Sequence, residues 1–257
     1  MNIELAGCRA LVTGGSSGLG AAIARALAVA GARVAVNYRS HPEQAAAVAA
    51  DLGADAFTVK ADVADADEVA AMFAAVDARW GGIDLLVNNA GMDGPRELAW
   101  ESDPAHWRRV IEVNLMGPYL CAREALSRMT RARSGVVINV SSVHERIAWS
   151  GYSAYAASKS GLSMMAKTLA QEAGPFGVRV LCVAPGAIRT PINAAVWSDP
   201  VGMADLLTKV PLGRIGEVGD IAGMVVALAS PAGAYVTGST VYIDGGMTDY
   251  PDFMKGG

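Results

Sequence analysis

The segment Ser141–Lys159, SSVHERIAWSGYSAYAASK, spaces three chemically active side chains. Ser142 ends an apolar run, Tyr155 stands thirteen residues on, and Lys159 four residues after that. A tyrosine and a lysine at i and i+4 of a helix share one face. A phenol, with a pKa near ~10, is a poor base at neutral pH, and a neighbouring ammonium stabilises the phenolate. Lowering that pKa by about 3 units takes roughly 4 kcal/mol of differential stabilisation. One ammonium is not expected to supply all of it, so a second positive charge is expected beside the phenol. Ser142 is placed to hydrogen-bond the substrate oxygen whose proton Tyr155 removes. Ser141 is its rival, but successive strand residues point to opposite faces. The same residues would also fit an ordinary strand, a polar loop and an Ala-rich helix, so the chemistry turns on the elements that position them.

Those elements alternate. RALVTG, RVAVNY (Arg33–Tyr38), AFTVKAD, IDLLVNNAG, GVVINVSS, GVRVLCVAPG and STVYIDGG read as buried strands. Between them lie helical stretches such as GAAIARALAVAGA, DADEVAAMFAAVDARWG and the Ala-rich run after Ser153. Gly31 and Gly174 fall where helices are expected to stop. Seven strands with intervening helices predict a single α/β domain, a doubly wound seven-stranded parallel sheet covered on both faces. Right-handed crossovers bring the strand C-termini to one edge. TGGSSGLG, NYRS, NNAG, NVSS and APGAIRT all lie at strand exits on that edge.

TGGSSGLG follows the first strand and opens the first helix. Gly14, Gly18 and Gly20, with Ser16, Ser17 and Leu19 between them, give a turn in which the backbone approaches a pyrophosphate at a helix N-terminus. The second strand ends at Asn37, Tyr38 and Arg39, where a carboxylate would accept from a ribose 2′-hydroxyl. With no acid there, Arg39 is expected to pair with a 2′-phosphate, so NADP is predicted to be accepted, with NAD as well. The oxidised nicotinamide ring would then be the second positive charge at Tyr155. Asp62 and Val63, after the third strand, are candidates to flank adenine; Asp62 would equally serve as a turn or cap residue.

Together these residues resemble the short-chain dehydrogenase/reductase family. Ser142, Tyr155 and Lys159 fit its S-x12-Y-x3-K pattern, and TGGSSGLG, NNAG (Asn88–Gly91), Asn114 in VNLMG and PGAIRT follow its landmarks in order along the whole chain. The resemblance implies a Rossmann-type domain, a nicotinamide cofactor and a homotetramer, with the helices carrying Asn114 and Tyr155 as contact surfaces. It places Asn114 in the catalytic group. Asn114 precedes Gly117–Pro118, where a helix is expected to be disturbed, and a freed carbonyl there would hold a water leading to Lys159. It also assigns Asn89, Ala90 and Gly91 to the adenosine ribose. Pro185, Gly186, Ile188 and Thr190 fall to the nicotinamide side, and Tyr155 and Lys159 touch the cofactor as well.

A narrower likeness within the family, in VNYRS, SSVHE, YAASK, YVTG and DGGMT, is to bacterial glucose 1-dehydrogenases. It implies oxidation of D-glucose, or a related aldose, at C1 to the lactone. Asp93, His144 and Asn193 are the substrate candidates, since a sugar site must pair its hydroxyls. The chain departs from those enzymes at Asp93, where they carry Glu, and at Val196, where they tend to have Lys. The alternatives are a carbonyl or 3-oxoacyl reductase of the same family and, from another class, a catalytically inactive nucleotide-sensing protein. The segment 190–211, with Pro191, Pro200 and Pro211, reads as a substrate lid in which Trp197 either covers the pocket or packs on the domain.

Composition narrows the partners. The 257 residues carry a net charge of −4, which argues against a nucleic-acid surface. Cys8, Cys121 and Cys182 are odd in number and sit in apolar surroundings, as reduced thiols of a cytoplasmic protein would. Neither a signal sequence nor a membrane-spanning run is read, and His41, His106 and His144 have no metal-ligand spacing. The expected partner is a small molecule.

Overall fold

In the computed structural model, residues 3–190 and 197–249 are described. Seven strands form one sheet: β1 (Arg9–Val12), β2 (Arg33–Tyr38), β3 (Phe57–Lys60), β4 (Leu85–Asn88), β5 (Gly135–Val140), β6 (Val178–Pro185) and β7 (Thr240–Ile243). Their order is β3-β2-β1-β4-β5-β6-β7 and every pairing is parallel. The chain winds outward from β1 to β3, then returns to lay β4 beside β1. The exits of β1 and β4 therefore flank the crevice where such sheets bind ligands.

The helices are α1 (Gly18–Val29), α2 (Pro42–Asp51), α3 (Ala66–Trp80), α4 (Pro104–Ile111), α5 (Gly117–Ala132), α6 (Ser153–Ala173), α7 (Pro200–Leu207) and α8 (Val218–Ala229). Strand residues alternate between two cores, because side chains leave a strand with a period of two. Val12, Val36, Val87 and Ile138 pack toward Ile23 and Leu27 of α1 and Ile221 and Val225 of α8. Leu11, Leu86, Val137 and Cys182 pack on the other face toward Phe73 of α3, Met129 of α5 and Ala170 of α6. With both faces covered, the strands read as continuous apolar runs rather than alternating ones.

Helix ends follow their local chemistry. The Asp65 side chain caps α3 by accepting from the Asp67 and Glu68 N–H groups, at 2.9 and 3.0 Å, and Gly81 ends it in the left-handed region at φ 73°. Gly31 stands just beyond α1 with φ 97°, as expected of a stop. Gly174 does not act as one. It keeps a helical φ of −55°, a short 3-10 turn continues through Phe176, and the left-handed residue is Gly177 at φ 75°. Pro175 explains this: it has no N–H to donate to the α-helical ladder, so the chain tightens before it turns.

Between α4 and α5 the helix widens into a π turn over Glu112–Met116, just before Gly117–Pro118. This is the disturbance expected around Asn114. Gly117 also lets the helix approach the loop after β3: a Cβ there would sit 2.8 Å from Val63 Cγ2. Cys121 and Cys182 are buried, Cys8 is half-buried, and all three thiols are free. Among the described residues no helix is long and apolar enough to cross a membrane, and no group of His, Cys, Asp and Glu is placed to hold a metal ion.

Candidate active site

The β1–α1 turn is built so that backbone, not side chains, faces the crevice. Gly14 has φ 60° and Gly18 φ 51°. A Cβ on Gly20 would fall 2.3 Å from the Gly14 carbonyl oxygen and 2.5 Å from Asn89 Nδ2. Ser17, at the N-cap of α1, is extended and exposed, and Ser16 and Leu19 are half-buried beside it. The Asn89 amide donates to the carbonyls of Thr13 (2.9 Å) and Gly14 (3.1 Å), while the Thr13 hydroxyl accepts from the Asn89 and Ala90 N–H groups. The exits of β1 and β4 are thus one hydrogen-bonded unit. Thr13 was not singled out by sequence; its only signal is its place at the head of the glycine run.

The exit of β2 brings a second brace. Asn37 accepts from the Gly14 N–H (3.1 Å) and donates to the carbonyls of Val59 and Ala61 (3.3 and 3.1 Å), so its amide is spent on the fold. Arg39 points outward and is exposed, with only a loose pairing to Asp62 at 3.9 Å. Asp62 is gripped instead by Arg109 of α4 at 2.5 Å and caps the Ala64 N–H at 3.0 Å. Burial works to raise its pKa, yet those bonds and the Arg109 and Arg39 charges hold the carboxyl below its usual range. Val63 turns its side chain into the core, so any contact with an adenine falls to its backbone.

At the exit of β5, Ser141 and Ser142 diverge as the strand period requires. Ser141 donates to Glu145 at 2.6 Å, whereas Ser142 hydrogen-bonds Tyr155 and accepts from the His144 N–H at 3.2 Å. Tyr155 and Lys159 share a face of α6, with the Lys159 ammonium 5.6 Å from the centre of the phenol ring. Lys159 is buried and donates to the Val140 carbonyl at 2.9 Å. Asn114 is wholly buried. It accepts from the Met92 N–H (2.9 Å) and donates to the Met92 carbonyl (2.8 Å) and to Ser158 Oγ (3.2 Å), locking the loop after β4 onto α6. A Cβ on Gly91 would meet Asn114 Oδ1 at 3.3 Å and Lys159 Nζ at 3.7 Å. Ser142, Tyr155, Lys159, Asn114 and Gly91 therefore converge.

The electrostatics agree that the lysine by itself is not enough. Burial pushes the Tyr155 phenol up to about 12; the Ser142 hydrogen bond lowers it and the Asp93 charge raises it. Taking a phenolate out of water is the largest influence on this phenol, so in the absence of a further positive charge it stays protonated. Burial likewise lowers Lys159 to about 8, against the pull of Asp93 and Glu145. The ammonium is therefore present below that pH and lost as pH rises through it.

Of the substrate candidates, Asp93 and His144 come to the reacting groups, and Asn193 lies outside the described residues. Asp93 is half-buried, its carboxylate accepts no hydrogen bond among the described residues, and burial raises its pKa while Lys159 and His144 lower it. His144 Nδ1 lies 3.0 Å from the Ile147 carbonyl, and burial lowers its pKa. Two further residues emerge only in the structure. Trp149 stacks on His144 (ring centres 4.4 Å) and on Tyr152 (3.9 Å), and stands edge-on to Tyr155 at 5.8 Å. Their sole sequence signal is their place between the serine and the tyrosine. On the far side, Gly186 donates to the Ile243 carbonyl at 3.1 Å directly after Pro185, and Ile188 bridges to Gly216. Trp197 donates to the Thr190 carbonyl at 3.0 Å and lies under Arg189, 5.1 Å from its ring centre. It is anchored to the start of the expected lid.

The glycine cradle, the exposed Arg39 and the strand-exit edge fit a dinucleotide. A profile of the family described as enoyl-(acyl carrier protein) reductase matches residues 14–248. The chain is 44% identical to the 3beta-hydroxysteroid dehydrogenase 1 of Eggerthella lenta, over 98% of each protein. It is 42% identical to the 3-oxoacyl-(acyl-carrier-protein) reductase FabG of Staphylococcus aureus, over 93% of this chain and 97% of that one. Among solved structures it superposes on a gluconate 5-dehydrogenase from Burkholderia cenocepacia, in complex with NADP and tartrate. That match has a TM-score of 0.92 and 35% identity, over 97% of this chain and 98% of that one. With the converging serine, tyrosine, lysine and asparagine on a seven-stranded parallel sheet, these matches lead to one conclusion: the chain belongs to the short-chain dehydrogenase/reductase family.

Proposed function

We propose that this oxidoreductase is an NADP-accepting dehydrogenase of a neutral, polyhydroxylated substrate, with D-glucose or a related aldose oxidised at C1 to the lactone. The observation that carries this reading is a stack of aromatic rings set beside a half-buried carboxylate that accepts no hydrogen bond among the described residues. Trp149 is stacked between His144 and Tyr152, so the stack offers the apolar edge of its partly exposed rings to the C–H groups of a sugar, and Asp93 suits its hydroxyls. The same carboxylate disfavours an anionic substrate such as a sugar acid.

In this reading Tyr155 takes the hydroxyl proton, Ser142 holds the substrate oxygen, and Lys159 steadies the phenolate. Asn114 fixes the loop after β4, and a water on a main-chain carbonyl freed by the π turn would relay the proton outward from Lys159. The residues that would hold the cofactor are Gly14, Ser16, Ser17, Gly18, Leu19 and Gly20 at the phosphates, with Arg39, Asp62 and Val63 at the adenosine end. Asn89, Ala90 and Gly91 would line its ribose, and Pro185, Gly186, Ile188 and Thr190 its nicotinamide. When bound, the nicotinamide would exchange a hydride with the substrate carbon, and its positive oxidised ring would supply the charge that Lys159 alone does not. The segment from Thr190, with α7, serves as the lid. The exposed Trp107, Met116, Tyr119 and Met164 on the surfaces of α4 to α6 suit burial in a homotetramer.

A carbonyl, 3-oxoacyl or ketosteroid reductase is the second reading, favoured by the same exposed aromatic edges, which also suit an apolar substrate. A panel read at the nicotinamide absorbance band separates the two. Glucose-dependent NADPH formation, with gluconate far poorer, is the expected result. NADPH-dependent reduction of a β-ketoester or 3-ketosteroid with no oxidation of any aldose would move the assignment to the reductase.

The cofactor reading has its own test. With Asn37 committed to backbone bonds, Arg39 is the group at the β2 exit available to a 2′-phosphate. Arg39→Ala is expected to raise the KM for NADP about tenfold and leave that for NAD within about twofold. Equal losses with both cofactors would remove Arg39 from 2′-phosphate recognition.

A further inference from the structure

Behind the reacting groups stands a carboxylate that this proton-transfer scheme does not use. Glu145 closes the short 3-10 turn Val143–Glu145 and is half-buried. Its Oε2 accepts from the Ser141 hydroxyl and its Oε1 from the Tyr242 hydroxyl, each at 2.6 Å. Its main-chain carbonyl accepts from the Ser160 hydroxyl at 2.9 Å. One residue thus ties the exit of β5, strand β7 and the residue of α6 that follows Lys159. Two short O–H···O bonds are what an ionised carboxylate attracts. Tyr242 remains a donor, since burial and then Glu145 push its phenol up to about 12. The Arg146 guanidinium, 5.5 Å from the centre of the Tyr242 ring, flanks the arrangement.

Lys159 is seated on the same corner. Its ammonium donates to the carbonyl of Val140, the residue before Ser141, and its own carbonyl lies 3.4 Å from Ser141 Oγ. A buried ammonium keeps its proton only with compensating negative charge nearby. The titratable groups acting on it are Asp93 after β4, Cys182 on β6 and Glu145 in the 3-10 turn, with Tyr155 on its own helix. Cys182 is neutral, its thiol pushed up to about 12 chiefly by burial. Asp93 belongs to the substrate side, with no hydrogen bond holding its carboxylate among the described residues. Glu145 is the carboxylate that the fold itself fixes in place.

We propose that Glu145 is a positioning residue whose carboxylate, clamped between Ser141 and Tyr242, keeps the Lys159 ammonium seated and protonated beneath Tyr155. The proposal rests on the reading of Tyr155 and Lys159 as the proton-transfer pair. Ser141 and Tyr242 both hold the carboxylate, and its charge, which Ser141 still holds without Tyr242, is what acts on the lysine.

The test is a lysine side-chain NMR titration of the full chain without substrate or cofactor. The sequence holds five lysines, and a Lys159→Met variant identifies the signal of interest. Glu145→Gln, of equal shape without the charge, is expected to lower the Lys159 titration midpoint by about half a pH unit or more. Tyr242→Phe removes one hydrogen bond and retains the charge, so the midpoint stays or rises. An unchanged midpoint in Glu145→Gln overturns the proposal, and so does a lowered midpoint in Tyr242→Phe, which decides the matter alone if Glu145→Gln does not fold. Failure of the proton-transfer reading is seen separately, as turnover that survives in Tyr155→Phe.

Discussion

Tyr155→Phe is expected to lower kcat/KM by about a thousandfold while the affinity for NADPH stays within about twofold. A positioned proton-transfer group contributes roughly 10²- to 10⁴-fold, and the phenol oxygen is the only part removed. The ring keeps its packing against Trp149 and His144, whose centres lie 5.8 and 6.1 Å away. The Ser142 hydroxyl loses one partner but still accepts from the His144 N–H, so the cost to folding is about 1 kcal/mol. Cofactor binding is read by quenching of tryptophan fluorescence and turnover by nicotinamide absorbance. Residual activity above a tenth of the parent would remove Tyr155 from proton transfer. Binding retained with turnover lost also separates an enzyme from a nucleotide sensor, for which the substitution changes nothing. In the parent enzyme, turnover is expected to fall as pH rises through about 8, where Lys159 loses its proton.

The convergence of Ser142, Tyr155, Lys159 and Asn114 was legible in the sequence because each is placed by a short-range rule. Tyr155 and Lys159 meet through helix periodicity, Ser142 and Ser141 separate through strand alternation, and the π turn at Asn114 follows from the glycine and proline just beyond it. The strand exits were legible for the same reason, since buried parallel strands are continuous apolar runs closed by glycine or polar residues. What stayed hidden depends on distant packing. Asp62 reads locally as a cap, and only the arrival of α4 gives it Arg109, 47 positions away. Val63 reads as adenine-facing until Gly117 lets α5 close over it. The expectation for Tyr155 counted the charge beside it, whereas the depth of its burial is a property of the assembled loop His144–Tyr152. That same loop builds the stack of aromatic rings, which no residue spacing announces. Gly174 marks a smaller limit: the stop was read at the glycine, but Pro175, visible beside it, tightens the chain into a 3-10 turn and passes the left-handed position to Gly177.

The cradle prediction follows from how little room the β1–α1 turn leaves. Gly20→Ala is expected to weaken binding of NADP and NADPH by about ten- to a hundredfold and to lower Tm. The added methyl would lie 2.3 Å from the Gly14 carbonyl oxygen and 2.5 Å from Asn89 Nδ2. Neither neighbour is the loose end of a flexible chain: one is backbone, and the other is held by bonds of 2.9 and 3.1 Å to the Thr13 and Gly14 carbonyls. Relief therefore requires the turn to move, and overpacking of this kind costs about 1–3 kcal/mol, equivalent to the stated loss if it falls on the ligand-facing backbone. Gly223→Ala is the control. Gly223 is exposed in the middle of α8, nothing stands within 4 Å of its new methyl, and alanine is the better helix former by about 1 kcal/mol. That variant is expected to bind cofactor as the parent does and to melt slightly higher. Calorimetric titration with NADPH on both variants reads the contrast, and parent-like affinity in Gly20→Ala would mean that the cofactor phosphates do not approach this backbone.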